Sequence, residues 1–131
     1  MTIKDVKQSP RIAVGVDIIE IDRVQRAAAN SKGSFLKKVY TVTELEASEN
    51  KSDNLAALFA AKEAVMKALG TGARGIGWRE IEILHNADGA PYVQLYGKAS
   101  MKAQEIGISQ FALSLSHSKE YAIAMVVGYA G

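Results

Sequence analysis

Glu63 and Lys67 stand one helical turn apart in an alanine-rich run, residues 54–69, that ends at Gly70. At that spacing a carboxylate and an ammonium form at least an ordinary surface pair, contributing ~0.2–0.5 kcal/mol. The small neighbours Ala56, Ala60 and Ala64 also leave room for a ligand to approach Glu63 closely. Lys62 projects into the apolar arc of the same helix, where a lysine must either snorkel to an edge or answer an anion. Asp17 is a second carboxylate in an uncrowded place, beside Gly15 and Ala13 on one face of a strand. It either caps the next helix or binds a ligand, since aspartate is depleted in strands and needs a partner there. Residues 70–77 hold four glycines, which make a flexible connector or a backbone cradle for an anion. His117, beside a turn, has both a structural and a functional reading. Two hard oxygen ligands with lysines nearby suit Mg²⁺ and a phosphate-bearing ligand, because Mg²⁺ keeps most of its shell for water and phosphate.

The elements that must position these groups are readable from period and punctuation. Projected at ~100° per residue, Leu55, Leu58, Phe59, Ala61, Val65, Met66 and Leu69 form a broad core face on the 54–69 helix. Asp53 or Asn54 caps its start, and Gly70 suits the left-handed position after its end. Residues 11–19 alternate as a buried strand, with Ile12, Val14, Val16 and Ile18 on one face and Arg11, Ala13, Gly15 and Asp17 on the other. Residues 18–29 turn helical, and 34–39 and 43–46 predict short helices, the last with a Thr43/Glu46 capping box. A hairpin over 78–84 and 91–96 turns around Asp88-Gly89, a helix spans 100–106, and a second hairpin pairs 111–117 with 121–127. Strand, helices, hairpin, helix, hairpin is an α+β order in a single domain with a mostly antiparallel sheet and a long central helix. Residues 1–10 read as a flexible arm ahead of a domain over 11–131.

Composition narrows the function classes. A chain of 131 residues with 48% hydrophobic and 23% charged residues supports one soluble domain. The net charge of +2 and the lack of a basic run argue against nucleic-acid binding. With no cysteine there is neither a disulfide framework nor a thiolate metal site, so zinc is disfavoured. No apolar run reaches ~18 residues and no signal pattern opens the chain, so no membrane role and a cytoplasmic location are expected.

The run Gly15-Val16-Asp17-Ile18-Ile19-Glu20-Ile21-Asp22-Arg23-Val24, taken with Phe59-Ala60-Ala61-Lys62-Glu63-Ala64-Val65-Met66-Lys67-Ala68-Leu69-Gly70, resembles the holo-[acyl-carrier-protein] synthases. These are the short-chain 4′-phosphopantetheinyl transferases, and Leu113 to Ala122 resembles the same family. The resemblance implies transfer of 4′-phosphopantetheine from coenzyme A to a serine of apo acyl carrier protein, releasing adenosine 3′,5′-bisphosphate. It implies a Mg²⁺ cofactor on Asp17 and Glu63, with Glu63 and Lys67 as catalytic groups. Implied coenzyme A contacts are Lys62, Gly70, Pro91 and His117, and Arg23 is the implied contact to the acidic carrier. Homotrimers with active sites between subunits are implied as well. The alternative, a non-catalytic trimeric nucleotide-binding module, fits poorly with an intact Asp17, Glu63 and Lys67. A larger transferase of two such halves would need a longer chain. The chain departs from the family pattern at Leu58, where many relatives have arginine, and at Ala90, where many have lysine. Of the remaining cations, Lys62 is expected to read the 3′-phosphate of coenzyme A.

Overall fold

The computed structural model describes residues 11–72 and 74–131, so the expected arm over 1–10 lies outside the described residues. Strand β1 (Ile12–Glu20) leads into helix α1 (Ile21–Asn30) and two short helices, α2 (Ser34–Val39) and α3 (Val42–Ser48). The long helix α4 (Ser52–Leu69) follows. A 3-10 turn over Trp78–Glu80 then precedes the hairpin β2 (Ile81–His85) and β3 (Pro91–Leu95), helix α5 (Gly97–Glu105), and strands β4 (Gln110–His117) and β5 (Tyr121–Tyr129). The main sheet is antiparallel in the order β1-β5-β4, and β2-β3 is a separate two-stranded ribbon. The α+β reading holds.

Helix α4 lies across the main sheet and is its core partner. Of its 18 residues, 12 are buried, so the polar side is much narrower than an amphipathic projection suggests. Ala56, Ala60 and Ala64 are fully buried, not flanking an open ligand face. They are small because β1 runs very close by. A Cβ added at Gly15 would lie 1.8 Å from the Ala64 carbonyl oxygen. Under the helix, β5 contributes Ala122, Ala124 and Val126, all fully buried.

That close approach decides which side of β1 faces inward. The bulky face, expected to be buried, is the open one, with Ile12, Val14, Val16 and Ile18 between 50% and 65% exposed. The small face, with Gly15 and Asp17, packs on α4, and Tyr121, Ile123 and Met125 of β5 extend the outward apolar surface.

Other boundaries move for local reasons. Helix α4 starts at Ser52 behind Lys51, so Asn54 is a first-turn residue and not the cap. The capping box before α3 is Thr41 with Glu44, not Thr43 with Glu46. Trp78 belongs to the 3-10 turn and not to a strand, and its ring stacks on Phe59 at 4.9 Å. Helix α5 begins three residues earlier than expected, at Gly97. Gly70 closes α4 in the left-handed conformation (φ 80°), as its position foretold.

Candidate active site

Asp17 comes from the last third of β1 and meets the C-terminal half of α4. The Lys67 ammonium donates to Asp17 Oδ1 at 3.0 Å and to the Val16 carbonyl at 3.0 Å. Lys67 thus reaches across to the strand and not along its own helix to Glu63. The Asp17 side chain is only 12% exposed, while Lys67 remains half open to solvent at 52%.

Glu63 is half-buried on the same flank and has no hydrogen-bonded or ion-paired partner among the described residues. Burial raises its carboxyl above the usual carboxylate value, and the neighbouring Asp17 charge raises it further. Lys67 and Arg23 pull in the opposite direction without cancelling the rise. Arg23, exposed on α1, therefore sits within electrostatic reach of Glu63, next to the carboxylates. The chemistry of the donor set fits a small hard cation: two crowded carboxylates, incompletely neutralised, one of them with free lone pairs. Among the described residues no group of three or more metal-ligating side chains comes together, so water and phosphate oxygens would fill the rest of such a shell.

His117 and Pro91 lie elsewhere, in a groove of about 600 Å³ between the start of α4, the tip of the β2–β3 ribbon and β4. Its lining also includes Leu58, His85, Gly89 and Ser116. His117 Nε2 stands 3.9 Å from an Asp53 carboxylate oxygen, and both side chains remain largely exposed. Leu58 is 4% exposed, an apolar part of the groove wall. The groove and the carboxylates are on opposite edges of the sheet: Asp17 on β1, His117 on β4, with β5 between them. Two strand spacings amount to about 10 Å. Another cavity of about 600 Å³, between β3, α5 and β4, is lined by glutamines, serines and apolar residues, with no ionisable group to run chemistry.

Lys62 is not available to any phosphate. It is fully buried, and its ammonium donates to Glu44 Oε1 at 2.8 Å, Trp78 O at 3.0 Å and Ile81 O at 2.6 Å. Those three bonds use all three of its protons. Burial pushes the ammonium below its usual range, while Glu44 opposes that shift. Glu44, also fully buried, accepts from the backbone N–H of Thr41 and of Ile83, both at 2.8 Å. The expectation that Lys62 reads the 3′-phosphate is corrected: it ties α4 to α3 and β2. The apolar arc around it gave a sound warning that it needed a partner, but that partner lies 18 residues upstream. Gly70 lies beyond Lys67, donating its N–H to the Lys67 carbonyl at 3.0 Å, and lines neither the groove nor the carboxylate cluster. His85 escaped sequence reasoning, although its place opposite Pro91 in the ribbon register follows from a hairpin turning at Asp88-Gly89.

An antiparallel α+β domain, with two carboxylates and a lysine gathered where a strand passes under a long helix, belongs to a recognisable class. Residues 13–126 match the 4′-phosphopantetheinyl transferase superfamily. The chain is 44% identical over 124 residues to the holo-[acyl-carrier-protein] synthase of Herpetosiphon aurantiacus, covering 89% of this chain and 98% of that one. It is 50% identical over 113 residues to that of Dehalococcoides mccartyi, with 86% and 94% covered. Its fold superposes on a Helicobacter pylori holo-[acyl-carrier-protein] synthase in complex with coenzyme A, with a TM-score of 0.80 and 31% identity over 88% of this chain and 98% of that one. The chain belongs to the 4′-phosphopantetheinyl transferase superfamily and, within it, to the holo-[acyl-carrier-protein] synthases.

Proposed function

We propose that Asp17, Glu63 and Lys67 carry out, in this chain, the transfer of 4′-phosphopantetheine from coenzyme A to a serine of apo acyl carrier protein. The observation behind this assignment is the crowding of Glu63 against Asp17 with Lys67 and Arg23 alongside. Asp17 and Glu63 would hold Mg²⁺, which when bound neutralises the pyrophosphate of coenzyme A and orients it for in-line attack. Glu63, with its carboxyl raised towards neutrality, is suited to take the serine proton, since a base works best when its own proton affinity is close to the working pH. Lys67, half exposed and anchored through Asp17, stabilises negative charge developing on the departing phosphate. Gly70 sets the end of the helix that carries Lys67, and Pro91 and His117 border the groove that takes the nucleotide end of coenzyme A. Arg23, exposed beside the carboxylates, meets the acidic carrier.

The active unit is a homotrimer whose sites lie between subunits, and the working location is the cytoplasm. Two features support a shared site. The outward face of β1 and β5 is apolar and open, which a second copy would cover. The groove and the carboxylates occupy opposite edges of the sheet, so one copy's groove can serve its neighbour's carboxylates. No helix among the described residues is long and apolar enough to cross a membrane.

The test is transfer from labelled coenzyme A to apo carrier protein, with and without EDTA. Transfer that persists in EDTA would refute the metal assignment. Asp17→Asn and His117→Ala should each be nearly inactive alone. Unfolded and refolded together in equal amounts, they should recover about a quarter of wild-type activity, the fraction of shared sites with both halves intact in a closed ring. No recovery would place each complete site within one subunit.

A further inference from the structure

The groove of about 600 Å³ carries a pair of imidazoles that nothing above explains as a pair. His85 ends β2 and His117 ends β4, two elements from different sheets, and both line the same cavity. They are the only ionisable groups in that lining. The opposite wall, from α3 and α4, presents Ser48, Asn54 and Leu58, all uncharged. Asp53, at the first turn of α4, is the nearby carboxylate, 3.9 Å from His117 on its far side. Lys62, the closest lysine in sequence, is sealed in its pair with Glu44. A ligand with two phosphate-bearing regions therefore meets two different kinds of cation: lysine and arginine beside the carboxylates, and only histidine in the groove.

We propose that His85 and His117 together form the anion subsite for the 3′-phosphate of coenzyme A, so that the preference for the 3′-phosphorylated nucleotide weakens as the pH rises. The inference rests on the reading of the groove as the nucleotide end of the coenzyme A site. It adds His85 as a specificity-determining residue. An imidazole is the side chain that exchanges its charge between about pH 5 and 8, where lysine and arginine stay charged. A phosphate monoester reaches its second negative charge near pH 6, so both partners are charged together just above that value. Two imidazolium groups clasp the dianion from β2 and β4, and each loses its grip on deprotonation. Because the groove is open, each contributes roughly the fivefold of two unit charges meeting in water-like surroundings.

Calorimetric titration of the whole protein, without metal or carrier, tests this with adenosine 3′,5′-bisphosphate and adenosine 5′-monophosphate as probes. The advantage of the bisphosphate should shrink about tenfold or more between about pH 6.5 and about pH 8.5. His85→Gln should lose about fivefold of that advantage at the lower pH and flatten its pH dependence, with the monophosphate unaffected. His85 is exposed, so this variant keeps the fold, and an unchanged melting temperature verifies it. A pH-independent advantage, or equal losses for both nucleotides in His85→Gln, would overturn the proposal. Wild-type transferase activity separates the two levels. If transfer occurs and His85→Gln leaves nucleotide selectivity intact, only the histidine subsite is wrong; if no transfer occurs, the underlying reading of the site is wrong.

Discussion

Replacing Gly15 with alanine adds one methyl group at the tightest contact in the molecule. Gly15 is not there for an unusual backbone angle; it is there for space. The added Cβ would sit 1.8 Å from the Ala64 oxygen, 2.8 Å from the Ala64 carbonyl carbon and 3.1 Å from the Ala68 nitrogen. It would enter the helical hydrogen bond that runs from Ala68 N–H to Ala64 C=O. Ordinary contact begins at 3.4 Å, so β1 and α4 must separate by 3.4 − 1.8 = 1.6 Å along that line. No rotamer relieves it, because every listed neighbour is backbone. Overpacking commonly costs about 1–3 kcal/mol, and a clash with a helix backbone belongs at the upper end. For a chain of this size that lowers the melting temperature by about 10 °C.

The functional loss should exceed the stability loss. The disturbed turn lies between Glu63 and Lys67, while Asp17 is two residues along the strand from Gly15. Moving the strand against the helix separates the carboxylates from each other and pulls Asp17 from its 3.0 Å contact with Lys67. A displacement of about 1 Å in a catalytic constellation can cost about 10²-fold in rate. Thermal unfolding and the carrier transfer rate, measured below the variant's transition, give both numbers. Ala64→Gly in the same background should rescue nothing, since the clash is with backbone atoms. A Gly15→Ala enzyme with wild-type melting and rate, or a rescue by Ala64→Gly, would refute the packing argument.

Lys62→Met should destabilise the fold by about 3–5 kcal/mol by leaving the Glu44 charge buried and unpaired, whereas Lys62→Met with Glu44→Leu should recover most of that loss. Denaturant unfolding of the three proteins checks it, and an additive double variant would contradict it. Glu63→Gln should abolish transfer yet raise stability at neutral pH by about 0.5–2 kcal/mol, the usual range for a single stabilising change. The sign follows from the raised Glu63 carboxyl: folding favours its protonated form, so its contribution is present at low pH and lost as the pH rises through the folded value. The gain from glutamine should therefore fade on acidification towards 4.5, the ordinary value, and melting curves across pH would show it. Arg23→Glu should raise KM for the carrier and leave KM for coenzyme A nearly unchanged, and the wild-type carrier KM should rise with salt; a carrier KM indifferent to salt would remove the electrostatic docking argument.

Periodicity made most elements legible, and the failures have one cause in common. Thr43/Glu46 and Thr41/Glu44 fit the same capping pattern, and only tertiary structure chooses between them. Glu44 is selected because its second oxygen accepts from Ile83 N–H and its first also meets Lys62, partners that lie far along the chain. The same is true of Lys62, whose anomaly was visible in the helix projection but whose partner was not. In β1 the alternation was plain, yet the bulky half faces outward, because a glycine and an alanine let the helix come so close to the other half. His85 was missed because the groove is assembled from α3, α4, the ribbon and β4 at once. Asp17 and Glu63 were recognisable as uncrowded carboxylates, but 46 residues separate them. Physics alone offered only that each wanted a partner, and the family resemblance implied that the partner was shared.

Neighbouring positions 62 and 63 of α4 meet opposite electrostatic fates, and that contrast shows how the helix serves the site. Lys62 is fully buried and fully bonded, and it joins α3, α4, the Trp78 turn and β2 at one point. Glu63, about 100° further round the helix, is left half-buried, unpaired and next to another carboxylate. A lone repulsive pair of carboxylates would drift apart on a mobile helix. Here the helix is clamped on one flank by the buried ion pair and on the other by contact with Gly15, so the repulsion has nowhere to relax. What remains is a pair of charges held closer than they would choose, with Lys67 already bonded to one of them. That arrangement costs stability in the isolated chain and is relieved only by a cation or by protonation, which is why the same residue should both limit stability and carry the chemistry.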